Sequence, residues 1–448
     1  MKTQVCASRL LCVVFFAAAC IVLGAEEPND PSPQPHERQL PHAMRSAMTQ
    51  LPWITVGRAD ADVIGTDNRA LQAAVDYIAG LGGGTVEVAP GEYLMRDSLH
   101  LRSHVTVRGR AGETVLRKAD ANVSALALDG DFGEEQITVE DAAGFEVGCG
   151  VAVWDDRAGG FHTTVARITG RRDRTFSIDR PLMADCMVQN HAQAATVFPV
   201  VSGRDVEGAG VENLVILGSK ERNPLLNGCR GAGIYLYRAH GTVIKGCEVR
   251  GYNGDGISFQ QSNDVIVEAC TCEENTQLGL HPGSGSQRPI VRGCTARDNG
   301  TDGLFLCWRV RHGLFEDNVL ERNGQYGISI GHKDSDNLLR RNRVSQNARE
   351  GVHFRNESLG MAAHRNRLAE NVIENNGTAE PSPGIRIRGA TNGLVFEKNT
   401  IRDTRAPGSR TQTVGILIEP QVGEVTLHDN VIEADVAIED HRVDQAGK

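Results

Sequence analysis

Gly303-Leu304-Phe305-Leu306, then Leu314-Phe315-Glu316-Asp317-Asn318-Val319, then Gly327-Ile328-Ser329-Ile330, is the stretch that decides the fold. Two short apolar strands flank a turn, and the opening pattern returns 24 residues later, from Gly303 to Gly327. Working outward, the same Gly-apolar-x-apolar unit appears at Gly233-Ile234-Tyr235-Leu236, Gly256-Ile257-Ser258-Phe259, Gly279-Leu280-His281 and Gly351-Val352-His353-Phe354. Copies at Gly384-Ile385-Arg386-Ile387 and Gly415-Ile416-Leu417-Ile418 follow at longer steps, which implies insertions. A second column keeps the same rhythm: Cys247, Cys270, Cys294, Asn318, Asn342, Asn371, Asn399 and Asn430.

A strand-turn-strand-loop unit of this size cannot bury its apolar face alone, so it must stack on its neighbours. Stacked coils pair as parallel strands about 4.8 Å apart. An asparagine column suits such a stack, because side-chain amides can bond up and down it and satisfy an inward turn. Cysteines in that column then read as small buried fillers. Eight cysteines lie beyond Cys6, Cys12 and Cys20, an even number that would otherwise invite a disulfide framework. The column predicts free thiols at Cys247, Cys270 and Cys294, and alternation puts Cys270 and Cys272 on the same side of one strand.

Composition agrees. The 448 residues include 50 glycines and only 5% aromatics, which suits short strands and tight turns. A net charge of −10 argues against nucleic acid or an anionic membrane as the main partner. Lys2 and Arg9, the apolar run Leu10–Leu23 and the small residues Gly24-Ala25 read as an export signal over 1–25, too short to span a membrane comfortably. A lipoprotein reading at Cys20 is weaker, since apolar residues continue past it. Residues 26–50 form a Pro-rich, disordered lead-in. The expectation is a secreted or periplasmic monomer with one domain over 51–440.

Residues Asp67 to Gly80 place Leu71, Ala74, Val75 and Ile78 at helical spacing, with Thr66 or Asp67 able to cap. A helix here can cover the open end of a solenoid. The stretch DNRALQAAVDYIAGLGGGTVEVAPGEY (Asp67–Tyr93) is similar to the N-terminal entry of pectate-lyase-superfamily β-helices. The coils from Gly233 resemble the repeats of pectate lyases, polygalacturonases and alginate epimerases. The resemblance covers roughly 55–125 and 205–435. It implies an all-β, single-stranded right-handed parallel β-helix with an N-terminal capping helix, acting on polysaccharide. Residues 136–201 fit the repeat poorly and read as a β-rich elaboration, in which Trp154 is either a sugar platform or a core residue.

Alternation predicts that the x residues face solvent: Tyr235, Ser258, His281, Phe305, Ser329 and His353. Beside them should lie Gln260, Cys307, Trp308, Arg309, His332, Lys333, Arg355 and Glu357. The coil His281-Pro282-Gly283 breaks the inward pattern, which marks a functional site. Three reactions are open. Proton abstraction at C5 of a uronate, as in a lyase or C5-epimerase, would use His281 as base and Arg309 and Lys333 as cations; His332, Tyr326 or His353 would donate a proton. Gln260, Trp308, Arg355 and Glu357 would bind substrate. Glycoside hydrolysis would use Asp255 and Asp302, two coils apart and roughly 9.6 Å in register. A non-catalytic glycan-binding or surface solenoid is the third. The Asp-Asp and Gly-His-Gly elements of polygalacturonases are missing from the matching coils. His281 and His353 sit about 14 Å apart by coil count, too far to share a metal. No cofactor is expected, although Ca²⁺ is possible.

Overall fold

The structure is a computed structural model and describes residues 51–442; the leader and lead-in expected over 1–50 lie outside them. The repeat folds as its spacing requires. Each coil supplies one strand to each of three long sheets of thirteen, eleven and eleven strands, and successive coils pair in parallel. The coil quoted first gives Leu314–Glu316 to the first sheet and Val319–Glu321 to the second. The Gly-apolar-x-apolar units form the third sheet. In chain order its strands are β1 (Leu99–His100), β2 (Val201–Glu207), β3 (Ala232–His240), β4 (Asp255–Gln260), β5 (Leu280–Gly283) and β6 (Leu304–Phe305). Next come β7 (Ile328–Ile330), β8 (Val352–Phe354), β9 (Ile385–Ile387), β10 (Val414–Ile418) and β11 (Val436–Asp440). Register keeps like with like, so Ser258 lies beside His281 and Ser329 beside His353.

Inward residues such as Phe259, Phe315, Phe354 and Phe396 fill the bore, which is one continuous core. The expected column lines it. Cys247, Cys270, Cys294, Asn318 and Asn342 are all buried, and the described cysteines are all free. Asn318 Nδ2 donates to Val291 O at 3.0 Å and to Asn342 Oδ1 at 2.9 Å, and the chain of amides runs on through Asn371 and Asn399 to Asn430. The residue before each ladder position is left-handed: Gly246, Ala269, Gly293, Asp317, Arg341, Glu370, Lys398 and Asp429. Glycine takes that conformation freely, whereas the others carry a cost. The Asn amide offsets it by satisfying the turn. Two further ladders had gone unread. One runs from Asn275 through Asn299, Asn323, Asn347 and Asn376 to Gln412, and the other joins Asn337 to Asn366.

Helix α1 (Asn68–Gly80) is capped by Asp67, whose carboxylate accepts from the Arg69 amide. It buries Leu71, Ala74, Val75 and Ile78 in the core at the N-terminal coils, as their spacing required. The poorly repeating segment makes a separate six-stranded antiparallel sheet, starting at Val123–Ala125 and including Gly150–Trp154 and Thr164–Arg172. Trp154 packs half-buried with Ala152, Ala195, Val197 and Leu226, so it belongs to a small core. Among the described residues no helix is long and apolar enough to cross a membrane.

Candidate functional site

The outward column of the third sheet is not the open surface that alternation predicts. Ser258, Gln260, His281, Ser329 and His353 point away from the bore but are buried. Over Tyr235, Asp255 and Ser258 the reason is a roof, whereas Arg355 bonds over Ser329 and Tyr326 stacks on His353. Residues 228–229, in the loop ahead of β3, lie across the sheet: Gly228 O accepts from Ser258 Oγ at 2.6 Å, and Cys229 O from Tyr235 Oη at 2.7 Å. Only a glycine fits at 228, because a Cβ there would collide with the Asp255 carboxylate.

Under this roof His281 Nδ1 meets Asp255 Oδ2 at 2.7 Å. Both are buried, and His281 Nε2 is enclosed without a partner, with the edge of Phe305 packed on the ring. Two sequence expectations change. His281 is packed and not solvent-facing. Asp255 is committed to His281 and is not a free member of a hydrolytic pair with Asp302. Arg309, expected beside His281, is exposed, and its guanidinium folds over Gly285.

Three coils further along, a second pair is set differently. His353 Nδ1 lies 3.7 Å from Glu350 Oε1, and the ring of Tyr326 stacks on His353 with centroids 4.2 Å apart. His353 Nε2 has no partner and is not enclosed. The Tyr326 hydroxyl accepts from Arg349 at 3.3 Å, and Arg386 reaches Glu350 at 3.4 Å. Burial pushes the imidazole of His353 below its ordinary range, so the neutral, basic form prevails. Burial pushes the Glu350 carboxyl up, but His353, its own amide and Arg386 outweigh it and hold it low.

Between the two pairs stands Asp302. One oxygen accepts from the Tyr326 amide at 3.3 Å, and burial pushes its carboxyl up to about 7. The Tyr326 amide and Arg355 pull the other way, with less effect. A carboxyl poised at neutrality, two coils from a lowered imidazole and linked to it through Tyr326, is an acid–base set suited to work near pH 7.

The opposite edge of the sheet forms a rim. Trp308 stacks on His332 at 5.1 Å, and His332 Nε2 meets Glu357 at 3.0 Å. Burial and Arg355 lower the His332 pKa, against the pull of Glu357. Trp308-Arg309 and His332-Lys333 each hold two successive residues in the left-handed region, a concentration of strain typical of functional sites. Arg309 and Lys333 make no ion pair among the described residues. Arg355 is more engaged than expected: it lies over Phe305 at 4.5 Å and bonds Ser329, Leu306 O and Asp334. Its path needs Gly331, where a Cβ would strike its Nε. Burial lifts the Asp334 carboxyl to about 7 in spite of Arg355. Gln260, expected to bind substrate, is buried and donates to Ser258 Oγ at 2.9 Å.

Residues 211–368 match the family model of the right-handed β-helix region. The fold is a right-handed parallel β-helix. Among solved structures, the A-module of the mannuronan C-5 epimerase AlgE6 of Azotobacter vinelandii superposes with a TM-score of 0.54. It is 14% identical, over 87% of this chain and 96% of that one. The catalytic domain of a GH87 α-1,3-glucanase gives 0.53 at 9% identity, over 86% and 60%. The Dettilon tailspike protein gives 0.52 at 13%, over 85% and 62%. At these identities the likeness is one of fold, which does not by itself carry activity. Among curated proteins, none matches this chain in sequence.

Glu350, like Asp255 and Asp302, immediately precedes a strand glycine, and that shared position is the signal in the sequence that points to it. Arg386 stands at the x position of the next coil, beyond an insertion and outside the column from Tyr235 to His353. Extending the x column by one coil would have found it, next to His353 in register.

Proposed function

We propose that the outer face of the third sheet is the active site of a carbohydrate-active enzyme, working outside the cytoplasm on a uronate-containing polysaccharide. It removes the C5 proton, as a lyase or C5-epimerase. The observation that carries this reading is His353, stacked on Tyr326 with its Nδ1 3.7 Å from Glu350 and not hydrogen-bonded to it, one coil from the Asp302–Tyr326 contact. In this reading His353 Nε2 takes the C5 proton. Arg386, with Arg309 and Lys333 on the rim, offsets the charge that develops on the sugar carboxylate. Protonated Asp302, or the Tyr326 hydroxyl held by Arg349, returns a proton to the leaving oxygen or to the opposite face of C5. His281 moves from base to positioning residue, holding Asp255 under the roof. Hydrolysis has less support, because Asp255, the intended partner of Asp302, is tied to His281.

The test is incubation with polygalacturonate, alginate and glycosaminoglycans in deuterated water. Unsaturated uronate indicates elimination, and C5 deuterium without cleavage indicates epimerisation. Reducing ends with neither would instead establish hydrolysis, and tight binding with no product would establish the glycan-binding solenoid. His353→Ala is expected to lower turnover about 10²–10⁴-fold, the usual contribution of a positioned base. An unchanged rate would remove His353 from the mechanism.

A further inference from the structure

Where the six-stranded elaboration meets the β-helix, a cleft is lined by four arginines, of which Arg167 pairs with Asp97 and Arg180, Arg204 and Arg230 are the other three. Arg180 follows the elaboration strand Thr175–Ile178, Arg204 lies on β2, and Arg230 lies in the roof loop two residues past Gly228. All three are partly buried, and none forms an ion pair among the described residues. Arg204 lies over Tyr237 with its Cζ 4.4 Å from the ring centroid, and among the described residues its side chain makes no hydrogen bond. Arg230 spends only Nε, on Phe161 O at 2.5 Å, and Arg180 only one long contact to Val165 O. The nearby carboxylates are taken. Asp97 holds His100 and Arg167, Asp205 holds Arg238, and Asp179 accepts from the Arg167 amide.

From this we infer that Arg180, Arg204 and Arg230 form a subsite for the anionic group, carboxylate or sulfate, of a remote sugar unit of an acidic glycan. Three poorly hydrated like charges repel one another, and a planar guanidinium stacked on an aromatic ring keeps its N–H edge free for an oxyanion. The Arg204 pKa is depressed, by burial first and by Arg180 second, so the charge is held under strain until an anion arrives. The register gives the distance from the arginines to the acid–base set. Arg204 lies beside Tyr237, then Gln260, then Gly283, three coils along to the strand of His281. That is about 14 Å to His281, and by the same count about 19 Å to the coil of Asp302 and 29 Å to that of His353. A glycan threading the face along the helix axis would therefore reach the arginines only if it is several units longer than the minimum the acid–base set needs. The inference rests on the proposed function for the lie of the chain, but its own claim is about binding.

Affinity by calorimetry distinguishes the two. The probes are a decasaccharide and a trisaccharide of polygalacturonate, a decasaccharide of alginate, a heparin decasaccharide, and a carboxyl-reduced galacturonate decasaccharide as neutral control. Arg204→Ala and Arg180→Ala should each weaken at least one anionic decasaccharide about tenfold or more, the worth of a charge-assisted contact. The trisaccharide and the neutral decasaccharide should not bind in an arginine-dependent way. Loss for the heparin probe alone assigns the site to sulfate, and loss for an oligouronate assigns it to carboxylate. Arg292→Ala, which removes the same charge from the first sheet where Arg292 pairs with Glu268, controls for diffuse attraction. Equal weakening by Arg292→Ala, or unchanged affinity in well-folded Arg204→Ala and Arg180→Ala, would overturn the subsite. Arg204-dependent binding without turnover of any probe would sink the proposed reaction and leave the subsite standing.

Discussion

The turn between the first and second sheets and the outer face of the third sheet are both built from side chains repeated once per coil, and they finish their hydrogen bonding differently. In the turn every amide of the ladder is satisfied: Asn342 accepts from Asn318 and gives to Phe315 O and Asn371. On the outer face four buried atoms go without partners: Gln260 Oε1, His281 Nε2, His353 Nδ1 and Arg355 Nε. Leaving buried polar groups unpaired costs stability that the turn does not give up. The lesson is that one repeating backbone supports two uses of a column. Identical residues with closed bonding hold the coils together, whereas varied ionisable residues with open bonding store chemistry.

The hardest way to break this comparison is to remove one member of a closed pair on the open face. His281→Ala leaves the buried Asp255 with only the Leu278 amide as a partner, and should cost about 3–5 kcal/mol in urea unfolding. A nearly unchanged midpoint would mean that the roof over Ser258 and Asp255 is loose and that the column is surface after all. Asp255→Asn, which keeps shape and a hydrogen-bonding oxygen, should cost less than His281→Ala.

A sharper version titrates the open face. Asp302 and Asp334 both have carboxyls raised to about 7 from an ordinary 3.8. Between those values the folded state holds a proton that the unfolded chain releases. The stability they contribute is thus full below about pH 4 and lost as pH rises towards 7, at up to about 1.4 kcal/mol per pH unit for each proton. His353 works the other way: its pKa is lowered, so its contribution is present above about pH 6.5 and lost as pH falls through the folded value. Asp302→Asn mimics the protonated acid and should flatten the pH dependence of unfolding, and Asp334→Asn should do so independently. If neither variant changes the slope, these carboxyls are ionised in the folded protein and Asp302 is no proton donor.

The closed column should respond less. Asn318→Leu strands the Cys294 amide and Val291 O, and should cost about 1–3 kcal/mol with no pH dependence. A pH-dependent loss would show that the ladder is coupled to the acidic face.

These contrasts also explain what was legible in the sequence. The β-helix could be read because its determinants are local and periodic: Gly303, Gly327 and Gly351 announce each coil, and Asn318 and Asn342 mark the turn by residue type. The capping helix was legible in the spacing of Leu71, Ala74, Val75 and Ile78. The environment of the face was not legible. Alternation says which way His281 points, but not that Gly228 comes from another coil to cover it. Nor does it reveal that Asp255, a residue of the preceding coil, is its partner, because that contact depends on rotamers across coils. The second asparagine ladder, Asn275 to Asn376, is equally periodic, so its determinants too are local and present in the sequence.

The finest probe lies where the closed column changes chemistry, between Cys294 and Asn318. Asn318 Oδ1 already accepts from the Cys294 amide at 2.9 Å, so the thiol sits where the next rung would be. The Cys294 Sγ lies 3.5 Å from Val267 O, the carbonyl 27 residues back, just as Asn318 Nδ2 reaches Val291 O. In Cys294→Asn the new amide would donate to Val267 O and Asn318 Oδ1, and its oxygen would accept from the Cys270 amide. Position 293, the left-handed residue before the rung, is already glycine, so the turn demands nothing new. Replacing weak thiol contacts by amide bonds in the same buried space should raise stability by about 0.5–1.5 kcal/mol, read as a shift in the urea midpoint. The balancing term is the fit against Cys270 and Cys272, both buried nearby. If Cys294→Asn destabilises while Asn318→Leu also destabilises, thiol and amide rungs are shaped differently. The N-terminal coils would then be a packing stack in their own right, and not an interrupted amide ladder.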